Sequence, residues 1–172
     1  IGDTVDAVNS SLASWEKLQL VKTKSQGRAL QMNVGAAHAT GDILLFLHVD
    51  TKLPQNAYFS IIDLLKPEIY DAGAFDMRFD VDNWFYRMIE FNISIRSRLT
   101  KTPYGDQAIF VRRKVFQKLK GYHPLPIFED VDFCRRLKKL KFKIGFIKNH
   151  VITSARRYEK CWFCTLTRNW II

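Results

Sequence analysis

The stretch Gly41-Asp42-Ile43-Leu44-Leu45-Phe46-Leu47-His48-Val49-Asp50 limits the fold more than any other part of the sequence. A turn opens it, an apolar run follows, and a carboxylate sits where the run ends. Five consecutive apolar residues without alternation predict a strand covered on both faces, as in a parallel sheet. In open α/β sheets, ligands occupy the crevice beyond the carboxyl ends of the strands. Asp50 therefore falls where ligand chemistry is expected.

The segments around this strand alternate between helical and strand-like patterns, which predicts an α/β fold. Asp3-Thr4 cap a helix running to about Ser14, and Leu18 to Val21 reads as a short strand. Gly27 to Ala39 reads as a helix, followed by the strand Ile43 to Val49. Pro54 opens a helix with Phe59, Ile62 and Leu65 on one stripe, stopped near Pro67. Ala72 to Phe79 is predicted as a strand, with Phe75, Met77 and Phe79 sharing a face. Trp84 to Leu99 is a longer amphipathic helix. Tyr104 to Gln107 is a polar loop leading into the strand Ala108 to Val111. Lys114 to Leu119 is a short helix ended by Gly121, and Pro124 and Pro126 impose a loop. Glu129 to Leu140 is a helix with Val131, Cys134 and Leu137 inward. Ile144 to Ile147 is a strand that Ile152 to Ala155 extends. With 172 residues and neither repeats nor linkers, a single domain over 1–172 is expected.

Net charge is the unusual part of the composition, at +10. Such a surface favours anionic partners such as nucleotides, phosphorylated lipids, anionic membrane faces or nucleic acid, and it also serves solubility alone. Cys134, Cys161 and Cys164 are too few and too odd for a disulfide scaffold and suit a reducing, cytoplasmic setting. Cys161 and Cys164 have redox-motif spacing but lack an upstream strand or a second pair, so they are predicted as helical neighbours. No secretory leader pattern opens the sequence, and no apolar run approaches the ~20 residues of a membrane span. Trp162 to Ile172 reads as a core helix, a membrane-surface helix or the start of something longer.

Four clusters carry potential chemistry. His48 and Asp50 alternate along a strand end and so point the same way. They suit a magnesium or manganese ion bridging two phosphates, or equally a core histidine and a turn cap. Glu129-Asp130-Val131-Asp132 opens a helix, where carboxylates are stabilised by the dipole. One of them can act as a general base toward a hydroxyl; the alternative is capping plus an Asp132–Arg136 pair. Gly27-Arg28, at a helix start, forms an anion site of amides and a guanidinium. Tyr104-Gly105-Asp106-Gln107 lets a ligand approach the backbone and offers polar groups to acceptor hydroxyls, or is a plain loop.

In this order the elements resemble the family 2 glycosyltransferases, and most of all a small bacterial subgroup, the selenodomain-associated transferases. The matching segments are 27–33, 39–54, 103–113, 128–137 and 153–160, which span nearly the whole chain. The resemblance implies a GT-A fold, a Rossmann-like mixed sheet flanked by helices. It implies a nucleotide-sugar donor and a divalent metal, Mn2+ or Mg2+, held by Asp50 and His48. Asp130 would be the inverting base with Glu129 beside it. Arg28, Asn33, His48, Asp50 and Arg156 would face the donor, and Tyr104, Gly105, Asp106 and Gln107 the acceptor, lipid-linked or saccharide. His48 replaces the first acid of the family's D-x-D motif. The family's opening strand and its Val-Asp-Gly segment are missing, so the domain is expected to be incomplete at both ends. The expected location is the cytoplasm, with peripheral contact at the inner membrane face. The competing expectation is a basic module that binds anionic membrane or nucleic acid without catalysis.

Overall fold

The computed structural model describes residues 19–24 and 26–156. The expected helix at 3–14, the Cys161–Cys164 pair and the segment Trp162 to Ile172 lie outside the described residues. Five helices are described: α1 (Arg28–His38), α2 (Ala57–Leu65), α3 (Trp84–Thr100), α4 (Arg113–Lys118) and α5 (Glu129–Lys139). The described strands are β1 (Ile43–Leu45), β2 (Thr51–Lys52), β3 (Ala72–Phe79), β4 (Phe110–Arg112) and β5 (Ile144–Thr153). A short 3₁₀ turn covers Gly105–Gln107.

The strands form one sheet in the order β1-β4-β3-β5-β2. Only β3 and β5 run parallel; the remaining pairs are antiparallel. The sheet is therefore mixed, as the GT-A expectation requires. β5 is one continuous strand rather than two pieces. Its register jumps between the Phe75–Ile147 and Asp76–His150 pairs, so a bulge absorbs the break seen in its pattern.

The reading of β1 needs correction. It is three residues long and pairs antiparallel with β4. The pairing continues to Phe46, whose N–H donates to the Ile109 carbonyl at 2.9 Å. Leu44 and Phe46 are buried, whereas Leu47 and Val49 are exposed. Leu44 and Phe46 join one core while Ile43 and Leu45 pack against the other, so both faces are covered as the unbroken apolar run predicts, and only the parallel pairing fails. Gln19 to Val21 take no regular structure. The stripe of α2 is Ala57, Ile61 and Leu65, while Phe59 is exposed. Packing against β3 and β5 sets that phase.

Two cores flank the sheet. One joins α1, α4 and α5 to Leu44, Phe46, Ala72, Ala74 and Val111. The other joins α2 and α3 to Phe75, Met77, Phe79, Phe110 and Val151. Asn83 caps α3 by accepting from Phe85 N–H at 2.9 Å, and Lys101 ends it in the left-handed conformation (φ 53°). Glu90 on α3 accepts from Phe79 N–H at 2.7 Å and pairs with Arg87, tying the helix to the end of β3. The outer face of α3 leaves Trp84, Met88, Phe91, Ile95 and Leu99 exposed in a single stripe.

Four rings in the first core link distant segments. Phe46 lies 5.0 Å from Tyr122 and 5.1 Å from Phe116, and Phe133 lies 4.7 Å from Tyr122. They fasten the end of β1 to α4 and α5. Tilted and edge-on ring pairs add to the burial itself. Phe133 is fully buried, so Phe133→Ala is expected to cost about 3–5 kcal/mol in urea unfolding with an unchanged m-value. A loss near 1 kcal/mol would show that the rings are not a packed unit.

Candidate active site

Three segments meet beyond the end of β1: the chain at His48, the 3₁₀ turn and the start of α5. Gly105 lies at the junction. A Cβ built there would stand 2.7 Å from His48 Nε2 and 3.5 Å from Asp130 Oδ2. Only glycine allows this approach. The Gly105 N–H donates to Asp130 Oδ2 at 2.7 Å, and Val131 N–H donates to Oδ1 at 2.8 Å. Both carboxylate oxygens are thus held by backbone donors.

Local backbone geometry brings these groups together. Phe128, which precedes the acids, is left-handed at φ 64°, and Ala108, which follows the turn, is left-handed at φ 49°. Neither has the freedom of glycine, so each costs on the order of 1 kcal/mol. Such strain gathers where a site needs a fixed chain direction.

Asp130 is buried. Burial pushes its pKa above the ordinary carboxylate range, and the Glu129 charge adds to this. The Gly105 and Val131 amides and Arg28 pull it back, without cancelling the rise. Glu129 is more deeply buried and accepts a hydrogen bond from Arg28 Nε. Partial desolvation lowers the Arg28 pKa, but its contact with Glu129 outweighs that and the net shift is upward. Asp132 faces away from this pair and binds Arg136 Nε at 2.7 Å and His123 Nδ1 at 3.0 Å.

Asp50 is half-buried, two residues beyond His48. The turn between them is closed by Thr51 N–H donating to the His48 carbonyl at 3.1 Å. Thr51 then pairs with Thr153 across β2 and β5, with their hydroxyls 3.2 Å apart. Arg156, exposed, follows Thr153 by three residues.

Two residues expected at the site have other work. The Asn33 amide donates to the Tyr122 carbonyl at 2.8 Å and accepts from Tyr122 N–H at 2.9 Å. Both ends are committed to the turn after α4, so Asn33 braces that turn rather than reaching for a donor. Gln107 is fully buried: it donates to the Phe75 carbonyl at 3.1 Å and accepts from Ser97 Oγ at 2.7 Å and Tyr104 N–H at 3.1 Å. It fixes the turn from beneath and presents nothing to an acceptor. Tyr104 and Asp106 are half-exposed on the turn itself.

The sequence reading missed Arg96. Its guanidinium stacks over the Tyr104 ring, 3.5 Å from the centroid. The available signal was its phase, since Arg96 falls on the inward stripe that Ile89 and Ile93 define.

Among the described residues no group of three or more His, Cys, Asp or Glu is placed to hold a metal ion. His48 and Asp50 would supply at most two ligands. That set does not make a closed protein cage, but it fits an ion that takes its other ligands from phosphate oxygens and water.

The profile of the family described as "Glycosyl transferase family 2" matches residues 3–157. The chain belongs to that family. A family relative, "Probable glycosyltransferase YdaM" from Bacillus subtilis (strain 168), is 25% identical over 187 residues, covering 96% of this chain and 43% of the relative. This chain thus spans under half of that relative's length. Among solved structures, the mannosyltransferase PcManGT from Pyrobaculum calidifontis, in complex with GDP-Man and Mn2+, superimposes with a TM-score of 0.68 at 17% identity. The match covers 88% of this chain and 44% of that one, and it shows the shared GT-A fold. This family 2 domain has no helix among its described residues long and apolar enough to cross a membrane.

The raised Asp130 pKa makes stability depend on pH. A carboxyl group whose folded pKa is raised stabilises the fold while protonated, and that contribution is lost as pH rises through the folded value. The melting temperature of Asp130→Asn, relative to the parent, is therefore expected to climb as pH goes from acid to neutral. A constant difference would mean that Asp130 titrates as a solvated carboxylate.

Proposed function

We propose that this domain moves a sugar from a nucleoside diphosphate donor to an acceptor hydroxyl with inversion at the anomeric carbon. The observation that carries the reading is the meeting of His48, Gly105 and Asp130 around one point. It puts the end of β1, where a diphosphate would lie, beside a buried carboxylate. Family membership supports glycosyl transfer, and the GDP-Man and Mn2+ of the Pyrobaculum mannosyltransferase motivate a nucleotide-sugar donor and a divalent ion here.

In this mechanism the acceptor hydroxyl is deprotonated by an Asp130 oxygen as its own oxygen attacks the anomeric carbon. The bond from that carbon to the diphosphate oxygen breaks, and its electron pair leaves with the diphosphate. The raised pKa makes Asp130 a stronger proton acceptor than a solvated carboxylate. The amides of Gly105 and Val131 aim it. Glu129, paired with Arg28, places negative charge behind the base and keeps the guanidinium at the site. Asp50 and His48 would hold a magnesium or manganese ion, which supplies counter-charge to the leaving diphosphate. Arg28 and Arg156 add positive charge on the same side. Tyr104, Gly105 and Asp106 line the acceptor side.

The finer assignments follow the same reading. We place the chain in the selenodomain-associated subgroup, as one domain over 1–172, working in the cytoplasm at the inner membrane face. Asp130→Asn is expected to lower turnover by roughly 10²–10⁴-fold while donor affinity stays nearly unchanged. The assay is diphosphate release over a nucleotide-sugar panel with and without manganese, with donor affinity measured by calorimetry. Affinity lost together with turnover would reassign Asp130 to a structural cap. Gly105→Ala forces a Cβ onto the His48 ring. It is expected to abolish turnover with the melting transition preserved, and unchanged turnover would remove the convergence on which the reading stands.

A further inference from the structure

Arg96 carries a charge that the fold does not answer. The residue is 5% exposed, yet its Nε and Nη1 donors have no hydrogen-bond partner. Its one hydrogen bond runs from Nη2 to Ser97 Oγ at 3.2 Å, and that hydroxyl in turn donates to Gln107. None of the described ion pairs includes Arg96. Asp76 binds Arg98 and Ser94, Glu90 binds Arg87 and the Phe79 amide, and Asp130 is held by the 3₁₀ turn and its own helix. A buried guanidinium without a carboxylate is destabilising unless something else compensates it. Stacking on Tyr104 returns only part of that cost.

The position of Arg96 suggests what completes it. The half-exposed Tyr104 ring covers one face of the guanidinium, and Tyr104 directly precedes Gly105, whose amide holds the catalytic carboxylate. A group reaching Arg96 past Tyr104 therefore lies on the acceptor side. Guanidinium groups with free N–H donors are matched best by oxyanions. We propose that Arg96 is the binding partner of an oxyanionic group on the acceptor, a phosphate or a carboxylate, admitted when the Tyr104 ring turns aside. The acceptor is then an anionic molecule that offers a hydroxyl. Its role as acceptor rests on the glycosyl-transfer reading; the anion site itself does not.

The test reads Arg96 directly. With ¹⁵N-labelled arginine, the Arg96 Nε–H resonance of the whole chain is followed during addition of methyl phosphate, decyl phosphate or acetate. A saturable shift is expected. Stronger binding of decyl than methyl phosphate identifies a lipid-linked acceptor, equal binding a soluble phosphate, and preference for acetate a carboxylate. Arg96→Met, close in length, is expected to weaken this binding roughly 10- to 100-fold and to raise the melting temperature, because the uncompensated charge is gone. Asp130→Asn keeps the Arg96 shift. No saturable shift with any anion, or a shift confined to Arg28, overturns the proposal, as does an Arg96→Met protein that melts lower than the parent. A shift at Arg96 with no diphosphate release from any donor sinks the transferase reading alone.

Discussion

A backbone amide set between an imidazole and a carboxylate fixes the spacing of this site. His48 Nε2 crowds the position a side chain would take at Gly105, Asp130 Oδ2 borders it at 3.5 Å, and the Gly105 N–H bonds that carboxylate at 2.7 Å. The turn cannot shift without moving both groups. Much of the surrounding structure holds the three segments against that contact. Phe46, Phe116, Tyr122 and Phe133 fasten the end of β1 to α5 from below. Gln107 anchors the turn to β3, and Asn33 anchors Tyr122 to α1.

The neighbouring buried acids are stabilised differently, and that separates their chemistry. Glu129 has an arginine partner, so its charge is compensated inside the protein. Asp130 has only backbone donors, so desolvation dominates and its affinity for a proton rises. Adjacent positions on one helix thus yield an ion-paired carboxylate and a basic one. Cys134, one turn further along α5, shows the opposite extreme: complete burial pushes its thiol far above the ordinary range and leaves it inert.

The sequence revealed most where structure depends on local pattern. β3 runs from Ala72 to Phe79 as its composition indicates, and α5 begins at Glu129 where the acidic first turn places it. The Asp132–Arg136 pair follows from helical spacing. What stayed hidden depends on contacts between distant segments. Nothing local told that β1 would pair antiparallel with β4, since a strand covered on both faces reads the same in either orientation. Asn33 and Gln107 look like ligand-binding polar groups until the backbones of Tyr122 and Phe75 are seen to claim them. His48 and Asp130 are eighty-two positions apart, and their meeting at Gly105 is a property of the sheet order.

The outer stripe of α3 has a consequence of its own. Trp84, Met88, Phe91, Ile95 and Leu99 give this helix a greasy ridge facing water. Set against that ridge is mutual repulsion between copies from a net charge of +10. Dissolved electrolyte shortens the reach of that repulsion to about 10 Å at 0.1 M, while sulfate-type anions strengthen the pull between apolar ridges. The same helix that carries Arg96 toward the cleft therefore also makes colloidal behaviour sensitive to ionic strength, independently of anything that happens at the cleft.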